Sequence, residues 1–202
     1  MDVAGHRWSV EQVLAEVARD RVFYGHSGGG LTLSGGEPLC QPDFSVALLR
    51  RARAMGLHTA VETAGWGDPD VVRRVLGQTD LILYDVKHMD ADRHLAGTGR
   101  TNEGILRNAT LAAGLDVDMA VRVPVIPGFN DGLDDILDIA RFTVEMGLSE
   151  IHLLPYHGYG APKYVSLGRE YGMVDVEPPT HERMDSLREA LERLGLRVRV
   201  GG

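Results

Sequence analysis

Cysteine is nearly absent: the 202 residues hold one, Cys40. An intrachain disulfide is thereby excluded. So is any centre that takes three or four thiolates from these residues alone, an iron–sulfur cluster included. No apolar run nears the ~20 residues that cross a bilayer. Met1-Asp2-Val3-Ala4-Gly5 has neither the basic nor the apolar part of a signal peptide. Basic residues are in deficit, with 21 Lys and Arg against 29 Asp and Glu and a formal charge of −8. A phosphate-neutralising face for sequence-independent nucleic-acid binding is therefore not expected. The eight histidines show no metal-ligand spacing such as HxxxH. What remains is ordinary globular usage, 44% apolar and 25% charged, enough for a buried core. A cytoplasmic protein with a single domain over 1–202 is the expectation.

Apolar residues alternate between short strand-like runs and segments of helical period. Ser9-Val10-Glu11-Gln12 reads as a capping box, with Val10, Val13, Leu14 and Val17 on one face of the helix it opens. Strands are expected at 31–33, 57–61, 81–84, 117–126, 151–154 and 196–200. Between them, one helix carries Phe44, Ala47, Leu48 and Met55 and stops at Gly56, and a short one runs from the Asp68-Pro69 cap to Gly77. Others carry Ile105, Leu106 and Ala109, then Ile136, Ile139, Ala140 and Val144, and finally Met184, Leu187, Leu191 and Leu194 behind Thr180. Repeated β-α units imply parallel strands joined by right-handed crossovers. The connection from 155 to 179 is long, and such loops are usually functional.

Polar residues follow strand after strand: Ser34 to Glu37, Glu62-Thr63, Asp85 and Lys87, and Tyr156-His157, while Arg122 interrupts an apolar strand. In a parallel barrel such positions converge on the C-terminal face, where active sites lie. An open doubly wound sheet would gather them at one switch point instead. A barrel is therefore preferred, with a small-ligand site centred on Ser34-Gly35-Gly36-Glu37-Pro38.

Each constellation has a plainer reading. The two glycines let a ligand approach backbone, and Glu37 before Pro38 adds a carboxylate suited to an amine; a simple βα turn would use the same glycines. Glu62-Thr63 adds a carboxylate and a hydroxyl, or else a helix cap. Asp85 and Lys87 share one side of an extended segment, as a ligand pair or a salt-bridged strand end. A buried Arg122 needs a partner, either Glu62 or Asp85 or a ligand. His157 alone reads as structural, and Cys40 as an unactivated thiol. Gly28-Gly29-Gly30 precedes a strand, unlike a phosphate-cradling loop, which follows one.

Taken in order, several segments resemble the radical S-adenosylmethionine enzymes that activate glycyl radical enzymes, the pyruvate formate-lyase activating enzyme group. They are 27–38 ending in Ser34-Gly35-Gly36-Glu37-Pro38, 80–90 with Asp85-Val86-Lys87, Arg122 to Gly128 with Asn130-Asp131, and Leu153-Leu154-Pro155-Tyr156-His157. Lys163-Tyr164, Leu167-Gly168 and Tyr171 also fit. The resemblance implies a partial (β/α)6 barrel of TIM type, S-adenosylmethionine and a 4Fe-4S cluster as cofactors, and a glycyl radical enzyme as partner. In such proteins the 5′-deoxyadenosyl radical, formed by reductive cleavage of S-adenosylmethionine, takes hydrogen from a backbone glycine of that partner. It further implies that Ser34, Gly35, Gly36 and Glu37 meet the methionyl amine, with Glu62 nearby. Asp85 and His157 would meet the ribose, and Lys87 and Arg122 the carboxylate or sulfonium. Glu62, Thr63 and Asp85 resemble a monovalent cation site.

The family's CxxxCxxC loop and the strand before it have no counterpart ahead of Ser9. The expectation is thus an N-terminally truncated barrel without cluster ligands, inactive by itself, and self-associating through the exposed edge of its first strand. The alternative is a non-catalytic module that binds S-adenosylmethionine or the partner. An unrelated barrel enzyme using Glu37, Asp85, Lys87 and His157 as acid–base groups is a third reading.

Overall fold

The computed structural model describes residues 6–158, 168 and 171–201. Lys163, Tyr164 and Leu167 lie outside the described residues.

The capping box forms as the sequence implies: Gln12 N–H donates to Ser9 Oγ at 3.2 Å and Ser9 N–H to Gln12 Oε1 at 2.8 Å, opening helix α1 (Val10–Val17). A 3-10 turn leads into α2 (Arg21–Ser27), which Gly28 ends in the left-handed conformation at φ 68°. Five βα units and a sixth strand follow from there. Strand β1 (Gly30–Leu33) precedes α3 (Pro42–Ala54), and β2 (His58–Thr63) precedes α4 (Pro69–Leu76). After β3 (Leu81–Asp85) come α5 (Ala91–Thr98) and α6 (Glu103–Ala113). Strand β4 (Asp118–Val125) leads to α7 (Leu133–Glu145), and β5 (Glu150–Pro155) precedes α8 (His181–Glu192) and β6 (Arg197–Val200).

The six strands form one sheet in the order β1-β2-β3-β4-β5-β6, and every neighbouring pair is parallel. Alternation divides each strand between two faces. Val61, Ile82, Tyr84, Val121, Val123, Ile151 and Leu153 are fully buried with Val72, Val75, Ala109, Ile136, Ile139, Leu187 and Leu191 of the helices. Each such aliphatic side chain contributes about 1.5–3 kcal/mol by leaving water. The opposite face carries Glu62, Leu83, Asp85, Ala120, Arg122 and His152, with no helical core packed on it among the described residues. A parallel sheet with one helical layer and a polar concave face is a sector of a (β/α) barrel. Among the described residues β1 and β6 are its outer strands.

Two helices, α2 and α5, were not expected from the pattern. α2 exposes its apolar residues, Val22 at 71% and Phe23 at 70%, and α5 buries only the polar His94. Neither shows an apolar stripe. The flank of β1 also differs from expectation. Leu31 is buried with Leu14, Leu48, Ala52 and Leu57, and Val10, Val13 and Val17 of α1 pack against that cluster. The strand's edge is open, yet its apolar face is covered.

The triple glycine serves the backbone. A side chain on Gly30 would lie 1.8 Å from the His58 carbonyl oxygen, so β1 and β2 approach there only because Gly30 has none. No helix among the described residues is long and apolar enough to cross a membrane.

Buried His88 couples the fold to pH. Its Nδ1 accepts the Asp90 N–H at 3.0 Å, so a neutral ring carries its proton on Nε2, which lies 3.5 Å from Asp135. Desolvation, reinforced by the Arg93 charge and opposed by Asp135, pushes this imidazole below its ordinary range. An unfolded histidine titrates near ~6.5, so between that value and the lower folded one the unfolded chain binds more protons. Stability is therefore expected to fall as pH drops from about 7 towards 5. His88→Gln should flatten that slope in thermal melts; an unchanged slope would contradict this.

Candidate active site

The parallel register brings side chains from four strands into one cross-strand arrangement on the concave face. Asp85 is paired with Arg122, Arg122 with His152, and His152 with Arg199. Ser34 Oγ, just past β1, donates to Glu62 Oε2 at 2.5 Å. Glu62 in turn forms a close ion pair with Arg122, whose Nε lies 3.8 Å from Asp85 Oδ1. The other oxygen of Asp85 meets Lys87 Nζ at 3.3 Å. Charge thus alternates across the sheet from Glu62 to Arg122, Asp85 and Lys87. Asp85 Oδ1 and Arg122 Nε are nevertheless both buried without a hydrogen-bond partner. Two orphaned groups of opposite sign at one strand end are costly unless a ligand completes them.

Glu37 stands differently. Its Oε1 accepts from Thr63 Oγ1 at 2.7 Å and from Leu39 N–H at 3.2 Å, and its Oε2 from Ala64 N–H at 3.1 Å. The carboxylate fastens the loop after β1 to the end of β2. Thr63 Oγ1 also accepts from Gly65 N–H at 2.8 Å, so this hydroxyl is engaged on both sides. Gly35 has φ 106°, which disfavours any side chain, while a Cβ on Gly36 would meet open space. Ser34, Gly36 and Glu37 line a recess of about 180 Å³ together with Phe44 and Ser45.

Three buried asparagines hold the loops around this centre, and sequence reasoning missed their role. Asn130 donates to the carbonyls of Lys87 and Pro124 at 2.7 and 2.8 Å, and accepts from Ile126 N–H at 2.7 Å. Asn102 donates to the carbonyls of His88 and Met89, and Asn108 to those of Gly65 and Gly67. Each amide secures two carbonyls at or just past the strand ends, satisfying backbone groups there. The only signal was polar residues at positions that proved buried.

Also missed was a charged group deeper on the concave face. Glu150 meets His152 Nε2 at 2.8 Å, Arg199 at 3.0 Å and Arg197 at 3.4 Å. Its hydrogen bond with His152, aided by both arginine charges and opposed by desolvation, holds the carboxyl below its usual range.

His157 is exposed just past β5. Its neighbour Tyr156 is buried, with its hydroxyl 2.7 Å from that of Tyr171 and donating to Met173 O at 3.1 Å. Cys40 is exposed at the end of the 3-10 turn Pro38–Cys40. Among the described residues no group of three or more His, Cys, Asp or Glu is placed to hold a metal ion.

A family model, the radical SAM superfamily, matches residues 3–143. The chain belongs to that superfamily. Within it the relatives are activating enzymes. The chain is 44% identical over 200 residues to the isethionate sulfite-lyase activating enzyme of Desulfovibrio desulfuricans, covering 98% of itself and 64% of that protein. It is 32% identical over 204 residues to the trans-4-hydroxy-L-proline dehydratase activating enzyme of Clostridioides difficile, covering 100% of itself and 68% of the relative. A crystal structure of a domain of pyruvate-formate lyase-activating enzyme from Bacteroides vulgatus superposes with TM-score 0.72 at 31% identity, over 86% of this chain and 99% of that one. The chain therefore belongs with the glycyl radical enzyme activating enzymes, and spans less than two thirds of the isethionate sulfite-lyase activating enzyme it matches.

In this radical SAM chain, Ser34, Glu62, Asp85, Lys87 and Arg122 are brought together as one connected set. Arg122 bridges Glu62 and Asp85, two of the three residues that resemble a monovalent cation site, while the third, Thr63, donates its hydroxyl to Glu37. The fit to the two family cofactors differs. The orphaned acceptor of Asp85 and donor of Arg122 suit a polar ligand such as S-adenosylmethionine, with its carboxylate, amine and ribose hydroxyls. A 4Fe-4S cluster needs thiolates that these residues do not supply, since Cys40 is the sole cysteine of the 202.

Proposed function

We propose that this chain is the S-adenosylmethionine-binding and partner-docking body of a glycyl radical enzyme activating protein. The observation that carries it is the buried, uncompleted pair Asp85 Oδ1 and Arg122 Nε at the strand ends of a radical SAM sheet. Lys87 and Arg122 receive the methionyl carboxylate, each already balanced by an acid that can be shared. Asp85 and His157 address the ribose hydroxyls. The Ser34-Gly35-Gly36 backbone offers its carbonyls to the amine, with Glu37 holding that loop in place. The partner is a glycyl radical enzyme, whose polypeptide enters the concave face that the helices leave open.

One cysteine favours a second reading, a binding module without radical chemistry of its own. Both readings require S-adenosylmethionine binding. Titration calorimetry of the chain should give saturable binding, weakened at least about tenfold by Lys87→Met, the scale of one charge-assisted contact. No heat at millimolar S-adenosylmethionine would refute both. A stoichiometric cluster on the purified chain after anaerobic reconstitution would remove the second.

A further inference from the structure

A recess of about 350 Å³ opens on the concave face where β3, β4, β5 and β6 begin, at the end of the sheet away from the strand-end site. None of Ser34, Glu62, Asp85, Lys87 or Arg122 lines it. Its floor is apolar, formed by Leu81, Leu83 and Ala120, and no helical core covers it among the described residues. One wall is charged. The register sets Arg197 beside Glu150 and Arg199 beside His152, across β5 and β6. Arg197 Nε lies 3.4 Å from Glu150 Oε2, and Arg199 Nε 3.0 Å from Glu150 Oε1. His152 Nε2 lies 2.8 Å from the same Oε1, and a carboxylate only accepts, so that nitrogen donates.

Depth separates the acid from the bases. The Glu150 side chain is 19% exposed, whereas those of Arg197 and Arg199 are 67% and 62% exposed. Among the described residues Glu150 is the sole carboxylate paired with either arginine, so one negative charge stands beneath two positive ones. Charged side chains on an outer strand do discourage edge pairing, and this end of a barrel ordinarily serves stability. Neither role calls for an uncovered apolar floor beside the cations. Two guanidiniums anchored through Nε on a shared acid keep Nη hydrogens for a further acceptor, the geometry that grips an oxyanion. Asp118, exposed on the β4 side of the recess, turns an anionic head towards β6.

We propose that this recess is a second ligand site, one that takes a small organic anion. The oxyanion head lies on Arg197 and Arg199, and the apolar body lies over Leu81, Leu83 and Ala120. Glu150 and His152 position the arginines. The site stands independently of S-adenosylmethionine binding, since the two share no residue.

Phenylphosphonate, titrated into the chain at low ionic strength (~20 mM) so that screening is weak, is the first probe, followed by amide NMR. Saturable shifts are expected at residues 118–120, 149–152 and 197–199, with 34–37 and 85–87 unmoved. Inorganic phosphate, the head without the body, should bind at least about threefold more weakly, because it buries no apolar surface. Benzyl alcohol, the body without the head, should leave those amides in place. Arg197→Gln and Arg199→Gln should each weaken phenylphosphonate about three- to fivefold, the factor one solvent-accessible ion pair supplies, and together about tenfold or more. Asp118→Asn should tighten it. Benzoate carries a carboxylate on the same ring, and whichever probe binds tighter assigns the head as carboxylate or phosphoryl. Shifts confined to 34–37 and 85–87, no saturation, or an unchanged affinity in the double variant would overturn the proposal. So would phosphate binding as tightly as phenylphosphonate, which would leave an adventitious ion only. The same spectra report whether each variant is folded, and if the double variant is not, the single variants decide.

Discussion

Replacing Arg122 with methionine is expected to lower the melting temperature and to abolish measurable S-adenosylmethionine binding. Arg122 is 17% exposed and lies between Glu62 and Asp85, whose side chains are 31% and 29% exposed. Without the guanidinium, two carboxylates on adjacent strands face each other, with Lys87 as the nearest remaining cation. Breaking a fully buried pair costs about 3–5 kcal/mol, and partial exposure lowers this to roughly 2 kcal/mol here. The ligand would also lose its buried donor. A second change, Glu62→Gln in the Arg122→Met background, should restore part of the stability by removing one of the repelling charges, but none of the binding. Thermal melts and calorimetry on the same samples separate the two effects. An Arg122→Met protein that melts with the parent would show that the network does not hold the strand ends.

Gly65→Ala is expected to be more damaging still, although the residue bears no functional group. Its φ of 67° disfavours a side chain, and a Cβ there would lie 1.6 Å from the Tyr84 hydroxyl oxygen and 2.2 Å from the ring carbon bearing it. Tyr84 has no room to retreat: it is fully buried, and its hydroxyl donates to Ile105 O at 2.6 Å. The substitution must displace either the ring or the loop, and the loop is held by Asn108 on the Gly65 carbonyl. A loss on the order of 4 kcal/mol is expected, in the tail of single-residue effects. Tyr84→Phe should not rescue it, because the ring carbon still obstructs. Chemical denaturation checks this, and a loss below about 1 kcal/mol would mean that the loop yields easily.

The two cases show where sequence reading succeeds and where it stops. All six strands were legible, because runs such as Leu81-Ile82-Leu83-Tyr84 have the strand period and sit between turn residues. The Ser9 and Asp68 caps were legible from local chemistry alone. α5 was not, since its one buried residue is a histidine. The strand-end site was legible as a list of residues, not as an arrangement. Nothing in the spacing of Glu37 tells that its carboxylate will be saturated by Thr63, Leu39 and Ala64, because those partners come from other loops and from backbone. Nor could spacing choose Glu62 rather than Asp85 as the closer partner of Arg122: the register sets Asp85 directly beside Arg122, yet the guanidinium pairs more closely with Glu62, one strand further on. Asn102, Asn108 and Asn130 are polar letters of the kind usually assigned to the surface.

The strand order has a consequence for how the chain assembles. Each of the five pairings joins strands consecutive in the sequence. A strand leaving the ribosome therefore finds its template already made, and no segment must wait for a distant one. Closing each crossover costs the entropy of one βα connection, never that of the whole chain. Synthesis and folding can advance in step, one unit at a time, with the strand most recently added always the growing edge.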